Sequence, residues 1–146
     1  MAHNRKLVLG GASLTMARCN RYIGEVGPEV MDELERLMIS TGYLEKAPFK
    51  WVGLILRFGL KNEDEPHYQR INKKYGDLPV AIELDTHDLQ HASRDELKEI
   101  FTVATLKVLV HVAQKYGLPG DRFAEMLRDV VQCRGPASLD NQQEGR

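Results

Sequence analysis

Two apolar runs held apart by a long charged insert constrain this chain more than any other feature. The first run reads Phe49-Lys50-Trp51-Val52-Gly53-Leu54-Ile55-Leu56-Arg57-Phe58 and the second Pro79-Val80-Ala81-Ile82-Glu83-Leu84-Asp85. Each has the length of a strand and the branched or aromatic side chains that suit a pleated surface. The insert between them, Lys61 to Asp77, carries Glu63-Asp64-Glu65, then Arg70, Lys73 and Lys74, with Tyr68, Ile71 and Tyr75 interleaved. It is too long for a tight hairpin. Connections of this length in a compact domain are functional or disordered, and Tyr68, Ile71 and Tyr75 argue for order. The insert is therefore the first candidate for a functional segment.

The flanking segments supply the rest of a domain. Lys6-Leu7-Val8-Leu9 reads as a short strand ended by Gly10-Gly11; no G-x-G-x-x-G or P-loop lysine follows, so the glycines mark a strand end or bulge rather than a phosphate loop. Residues 12–27 fit helix and strand equally. Pro28 suits the first turn of a helix, and Val30, Met31, Leu34, Leu37 and Met38 then form one apolar stripe. Glu29, Asp32 and Glu33 lie toward the positive end of that helix, and Gly42 is placed to close it. Ser93-Arg94-Asp95-Glu96 is a capping box. The helix it opens runs to Tyr116, where Gly117 and Pro119 stop it, and its apolar residues cover most of the circumference. A last helix starts near Asp121, with Phe123, Leu127, Val130 and Val131 as its stripe.

The order β-α-β-β-α-α predicts an α+β domain over residues 1–134: a small, mainly antiparallel sheet with helices packed on one face. The polar segment 135–146 reads as a disordered tail.

Composition narrows the function. A chain of 146 residues suits one domain, and 42% hydrophobic with 28% charged residues is ordinary for a soluble protein. Twenty basic against twenty-one acidic side chains leave a net charge of −1, a poor basis for neutralising nucleic-acid phosphates. No run approaches the ~20 apolar residues of a membrane span, and the amino-terminal segment has no signal-peptide core. Cys19 and Cys133 lack C-x-x-C spacing and read as free thiols of a reducing, cytoplasmic compartment.

The strand pattern also places the charges. Alternation puts Val80, Ile82 and Leu84 on one face, and Ala81, Glu83, Asp85 and, if the strand continues, His87 on the other. In the first run it separates Val52, Leu54, Leu56 and Phe58 from Trp51, Gly53, Ile55 and Arg57. Pairing of the strands would gather Arg57, Glu83, Asp85 and His87 on one face, with a cross-strand Arg57–Glu83 pair. Glu83-Leu84-Asp85-Thr86-His87-Asp88 is the most enzyme-like stretch, and a metal-dependent hydrolase using Asp85, His87 and Asp88 is the alternative reading. It lacks support: a metal site needs three or four converging ligands, and His3, His67, His91 and His111 show no mutual pairing. His87 and His91 are spaced i, i+4, but both precede the Ser93 cap, so they are not expected to share a helical face. His111 reads as a core histidine. There is no G-x-S-x-G, and neither cysteine has a motif-supported base. No catalytic residue, metal or cofactor is expected.

The sequence from Ala47-Pro48-Phe49-Lys50-Trp51-Val52-Gly53-Leu54-Ile55-Leu56-Arg57-Phe58 to Gly59-Leu60-Lys61-Asn62 is similar to the central block of the immunity protein 39 family of bacterial polymorphic-toxin systems. Pro66-His67-Tyr68-Gln69-Arg70-Ile71-Asn72-Lys73-Lys74-Tyr75-Gly76-Asp77, continuing to Thr86, resembles it too, as do the Lys6–Gly11 opening and Ala104-Thr105-Leu106-Lys107. The resemblance spans about Lys6 to Pro119, leaving residues 12–27 and the final helix without support from it. It implies a small cytoplasmic protein that protects its producer by binding a cognate toxin. It supplies no toxin-contacting residues.

The residues themselves therefore place the expected toxin-binding surface on Glu63, Asp64, Glu65, His67, Tyr68, Arg70, Tyr75, Glu83, Asp85 and Asp88, with Tyr68 and Tyr75 as anchors. If the toxin is a nuclease, the acidic members could meet its basic substrate groove and speed association. No nucleic acid or membrane is expected as partner.

Overall fold

Both apolar runs become strands, and they lie side by side. The computed structural model describes residues 5–10 and 19–143, with backbone alone at residue 10 and at 133–143. Among the described residues four strands form one sheet in the order β1-β2-β4-β3: β1 is Leu7–Gly10, β2 Trp51–Gly59, β3 His67–Tyr68 and β4 Asp77–Asp85. Strands β2 and β4 pair in parallel along their whole length, Leu54 opposite Val80 and Arg57 opposite Glu83. Strand β1 pairs in parallel with β2, and β3 adds antiparallel to β4.

The α+β class holds, but the sheet is mixed where the pattern predicts a mainly antiparallel one. The reason lies in the connections. Parallel neighbours need a crossover of about a dozen residues or more, and the 60–76 connection is long enough to be one. Alternation alone cannot tell the two directions apart, because side chains face the same way in either.

Val52, Leu54, Leu56, Val80, Ile82 and Leu84 are buried, as the alternation predicts, while Phe58 on the same face is half-buried; Leu7 and Leu78 join the core as well. Helix α1, Ile23–Ser40, packs beside β1 and sends Ile23, Val26, Val30, Met31, Leu34 and Met38 into the core. It begins one turn earlier than Pro28 suggests, so Pro28 sits inside the helix. A proline there removes the hydrogen bond to the carbonyl of Gly24, and Gly24 is exposed to solvent that can replace it. Gly27 lets α1 approach β1 and the later helix closely: a Cβ would stand 2.8 Å from Leu9 Cδ2 and 3.3 Å from the Phe101 ring. At the carboxyl end Gly42 adopts φ +67°, the left-handed conformation that closes many helices. Residues 11–18, which include Gly11 and the first part of the ambiguous stretch, lie outside the described residues.

Among the described residues three helices follow β4. The first, α2 (Thr86–His91), is short and absent from the sequence expectation. The second, α3 (Arg94–Tyr116), has the capping box in full: Glu96 N donates to Ser93 Oγ, and Ser93 N donates to Glu96 Oε1 at 2.8 Å. Gly117 ends it at φ +66°. Leu97, Phe101, Ala104, Leu106, Val108, Leu109 and Val112 are buried, so α3 is the central element of the core. The third, α4 (Asp121–Gln143), buries Phe123, whose ring meets Tyr43 edge-on at 5.2 Å. Val131 is exposed. The backbone of α4 continues past Gly135-Pro136 into the segment that composition assigns to a tail.

Candidate functional site

The first half of the insert is fastened to the scaffold by its own polar side chains. Asn62 accepts a hydrogen bond from Asp85 N (2.9 Å) and donates to Asp88 Oδ2 (3.1 Å). Glu63 behaves as an added strand residue: its N–H donates to Glu83 O at 2.9 Å, and its Oε1 accepts from Glu83 N at 2.6 Å. Glu63 Oε2 stands 2.6 Å from His67 Nε2. The His67 ring, followed by the Glu83 amide, holds the Glu63 carboxyl below its ordinary value despite partial burial. Asp64 is ion-paired with Lys107 of α3 at 3.0 Å, which holds its carboxyl low as well. His111, expected in the core, is half-buried instead and contributes to the field at Asp64.

The expected Arg57–Glu83 pair does not form. The two residues are opposite in the register, but Glu83 Oε2 accepts from Leu60 N at 3.0 Å. Gly59 makes this possible, since a Cβ there would fall 1.5 Å from the same carboxylate oxygen. Asp85 is also committed locally. Its Oδ1 caps α2 by accepting from His87 N (2.8 Å) and Asp88 N (3.2 Å). Of the acidic residues singled out from the sequence, Glu63, Glu83 and Asp85 therefore serve backbone amides, while Asp64, Glu65 and Asp88 face solvent.

The second half of the insert splits between the two faces of the sheet. Tyr68 lies opposite Val80 on the inner side, half-buried, with Lys115 Nζ 5.0 Å from the ring centre. Burial, with a smaller contribution from Tyr116, pushes its hydroxyl up to about 12. His67 lies opposite Ala81 on the outer side, in the same cross-sheet row as Ile55. Tyr75 is 60% exposed, and its carbonyl accepts from Trp51 Nε1 at 3.3 Å, which sets it beside the outer face. Arg57, Glu65 and Arg70 are exposed.

A cleft of about 480 Å³ opens at the carboxyl end of β4, between the insert, α2 and α3. Ile82, Leu84 and Ile100 contribute its apolar lining; Asn62, Glu63, Asp88, Glu96, Glu99 and Lys107 contribute polar groups; His87 and His91 stand on the α2 side. Contrary to the expectation from the Ser93 cap, His87 and His91 both lie in a helix. They share a face of α2, with ring centres 4.4 Å apart. The signal that could have found α2 is Asp85 itself, a cap residue immediately after an apolar strand. Among the described residues no group of three or more His, Cys, Asp or Glu is arranged to hold a metal ion, and nothing in this geometry favours the hydrolase reading.

Against protein-family models the chain matches Immunity protein 39 over residues 1–128. It belongs to the immunity protein 39 family. The match takes in the whole sheet, the insert, the cleft and the start of α4, and so extends beyond the Lys6–Pro119 resemblance. Comparison with curated proteins and with solved structures finds no match for this immunity protein 39 member. Among its described residues no helix is long and apolar enough to cross a membrane.

Four carboxylates, two of them on the insert, predict acid sensitivity. Glu29, Glu63, Asp64 and Glu96 are all held below their ordinary values of 4.5 for glutamate and 3.8 for aspartate. The folded form therefore binds fewer protons than the unfolded chain in that range, and stability falls as pH drops through it. The contribution is fully present above pH ~5 and lost progressively below that. Urea midpoints measured between pH 7 and pH 3 should decline on the acid side, and Glu63→Gln should flatten part of the decline.

Proposed function

We propose that this protein binds a cognate bacterial polymorphic toxin and neutralises it by stoichiometric association in the cytoplasm of the producing cell, without catalysis. The observation that carries this reading is membership of the immunity protein 39 family across residues 1–128. The fold is compatible with it: the sheet displays side chains on a loop and on its outer face, where Trp51 and Ile55 are half-buried and Arg57 is exposed, and loops carried on regular elements commonly serve recognition.

The toxin-facing surface in this reading is the outer side of the sheet together with the insert that borders it. Trp51, Ile55 and Arg57 line the face, with His67 and Tyr75 beside them and Glu65 and Arg70 farther along the insert. Aromatic and arginine anchors of this kind dominate the energy of protein interfaces. Asp64 and Asp88 face solvent and would act at the rim, steering encounter more than holding the complex.

Titration of the cognate toxin's activity with this protein tests the mode of action. A binder reaches full protection only at equivalence; protection at strongly substoichiometric amounts would reveal turnover and overturn the proposal. The two tyrosines of the insert then separate structure from recognition. Tyr75→Ala should leave the melting temperature unchanged and weaken toxin binding by about 2 kcal/mol or more. Tyr68→Ala should instead lower the melting temperature, since its ring packs on the core. Unchanged affinity in Tyr75→Ala would move the interface away from this surface.

A further inference from the structure

We propose that His87 and His91 form a two-imidazole site for a borderline divalent transition metal, Zn²⁺, Ni²⁺ or Cu²⁺. The inference is independent of the toxin-binding reading and arises from α2, whose existence gives the i, i+4 spacing of these histidines a shared helical face. Both side chains are exposed, and their ring centres are 4.4 Å apart with planes tilted by 47°. Nitrogen donors ~2.0–2.1 Å from a tetrahedral ion lie about 3.3 Å from each other. Rotation of two exposed imidazoles already in contact reaches that separation without moving the backbone.

The site is anchored where a ligand pair needs to be. Asp85, the last residue of β4, caps α2 with its side chain, so no loose loop separates the histidines from the sheet. Leu89, between them in sequence, is fully buried and holds the opposite face of the helix. Neutral imidazole suits zinc, nickel and copper, whereas magnesium and calcium prefer all-oxygen sets. Among the described residues no third ligand completes the set, so water takes the remaining positions. Binding is accordingly weaker than at a structural zinc site, and exchangeable.

The test uses untagged full-length protein carrying His3→Ala, titrated calorimetrically with ZnCl₂, NiCl₂ and CuCl₂. One saturable site is expected, tightest for copper as the Irving–Williams order requires. In the His3→Ala background, which removes chelation by the Met1-Ala2-His3 terminus, His87→Ala and His91→Ala should each weaken it by about tenfold or more, the order by which changes around a metal site lower affinity, while His67→Ala and His111→Ala leave it unchanged. Both key side chains are exposed, so the variants should melt with the parent. As a second readout, substoichiometric Cu²⁺ should broaden the ring-proton resonances of His87 and His91 before those of the other histidines. Absence of saturable binding, binding that survives the double variant, or broadening centred on His67 or His111 would overturn the proposal.

Discussion

Leu106→Ala is expected to lower the unfolding free energy by about 2–5 kcal/mol, because a cavity adds to the lost transfer energy. The side chain is fully buried in the middle of α3, the helix that packs against α1, α4 and β4 at once. With neighbours on several sides the gap cannot be closed by settling one element without opening another, which favours the upper half of that range. Urea denaturation should show an earlier midpoint with an unchanged slope. A loss below about 0.5 kcal/mol, typical of surface sites, would contradict the placement of α3 as the central element.

Asn20→Ala is the second large effect, expected to cost about 2–3 kcal/mol through unpaired buried polar groups rather than lost apolar contact. Asn20 is only 8% exposed. Its Nδ2 donates to Leu89 O (2.8 Å) and Ala92 O (3.0 Å), and its Oδ1 accepts from Tyr22 N (2.9 Å). One side chain thus joins the entry of α1 to the far end of α2. Removing it strands two carbonyls and an amide, and buried groups in that state are expensive. Asn20→Asp discriminates further, since a carboxylate keeps the acceptor but faces two carbonyl oxygens. It should do no better than alanine. Wild-type stability in Asn20→Asp would show that the Nδ2 bonds contribute little.

What could be read from the sequence follows how local each signal is. The α3 helix was legible because Ser93, Glu96 and Gly117 lie within a few residues of the ends they define. The β2 and β4 strands were legible because period-two alternation is a property of each run alone. Their parallel pairing was not, because it depends on a path through the whole insert. Pro28 misplaced the start of α1: proline is favoured in a first turn, yet here Asn20 and Tyr22 open the helix a turn earlier. The α2 helix was hidden by its shortness and by Asp85, which reads as the end of a strand and serves also as a cap. At the candidate site, composition marked the right segment but could not sort its charges. Nothing local distinguishes Glu63, which mimics a strand residue, from Glu65, which faces water; only the position of Glu83 does.

The parallel union of β2 and β4 also sets the order of events when the chain folds. A hairpin can zip from its turn, with each pair closing a short loop, whereas here no pair of the central ladder forms until the whole connection between the strands has been spanned. The β1–β2 ladder likewise waits for α1. Contacts so distant in sequence carry their closure entropy before any reward, so a slow approach to the native state is expected, with strand edges exposed meanwhile. For a protein proposed to act as an antidote, this turns topology into a matter of timing: protection depends on a reserve folded before the toxin arrives, since chains begun at the moment of attack complete their central ladder late.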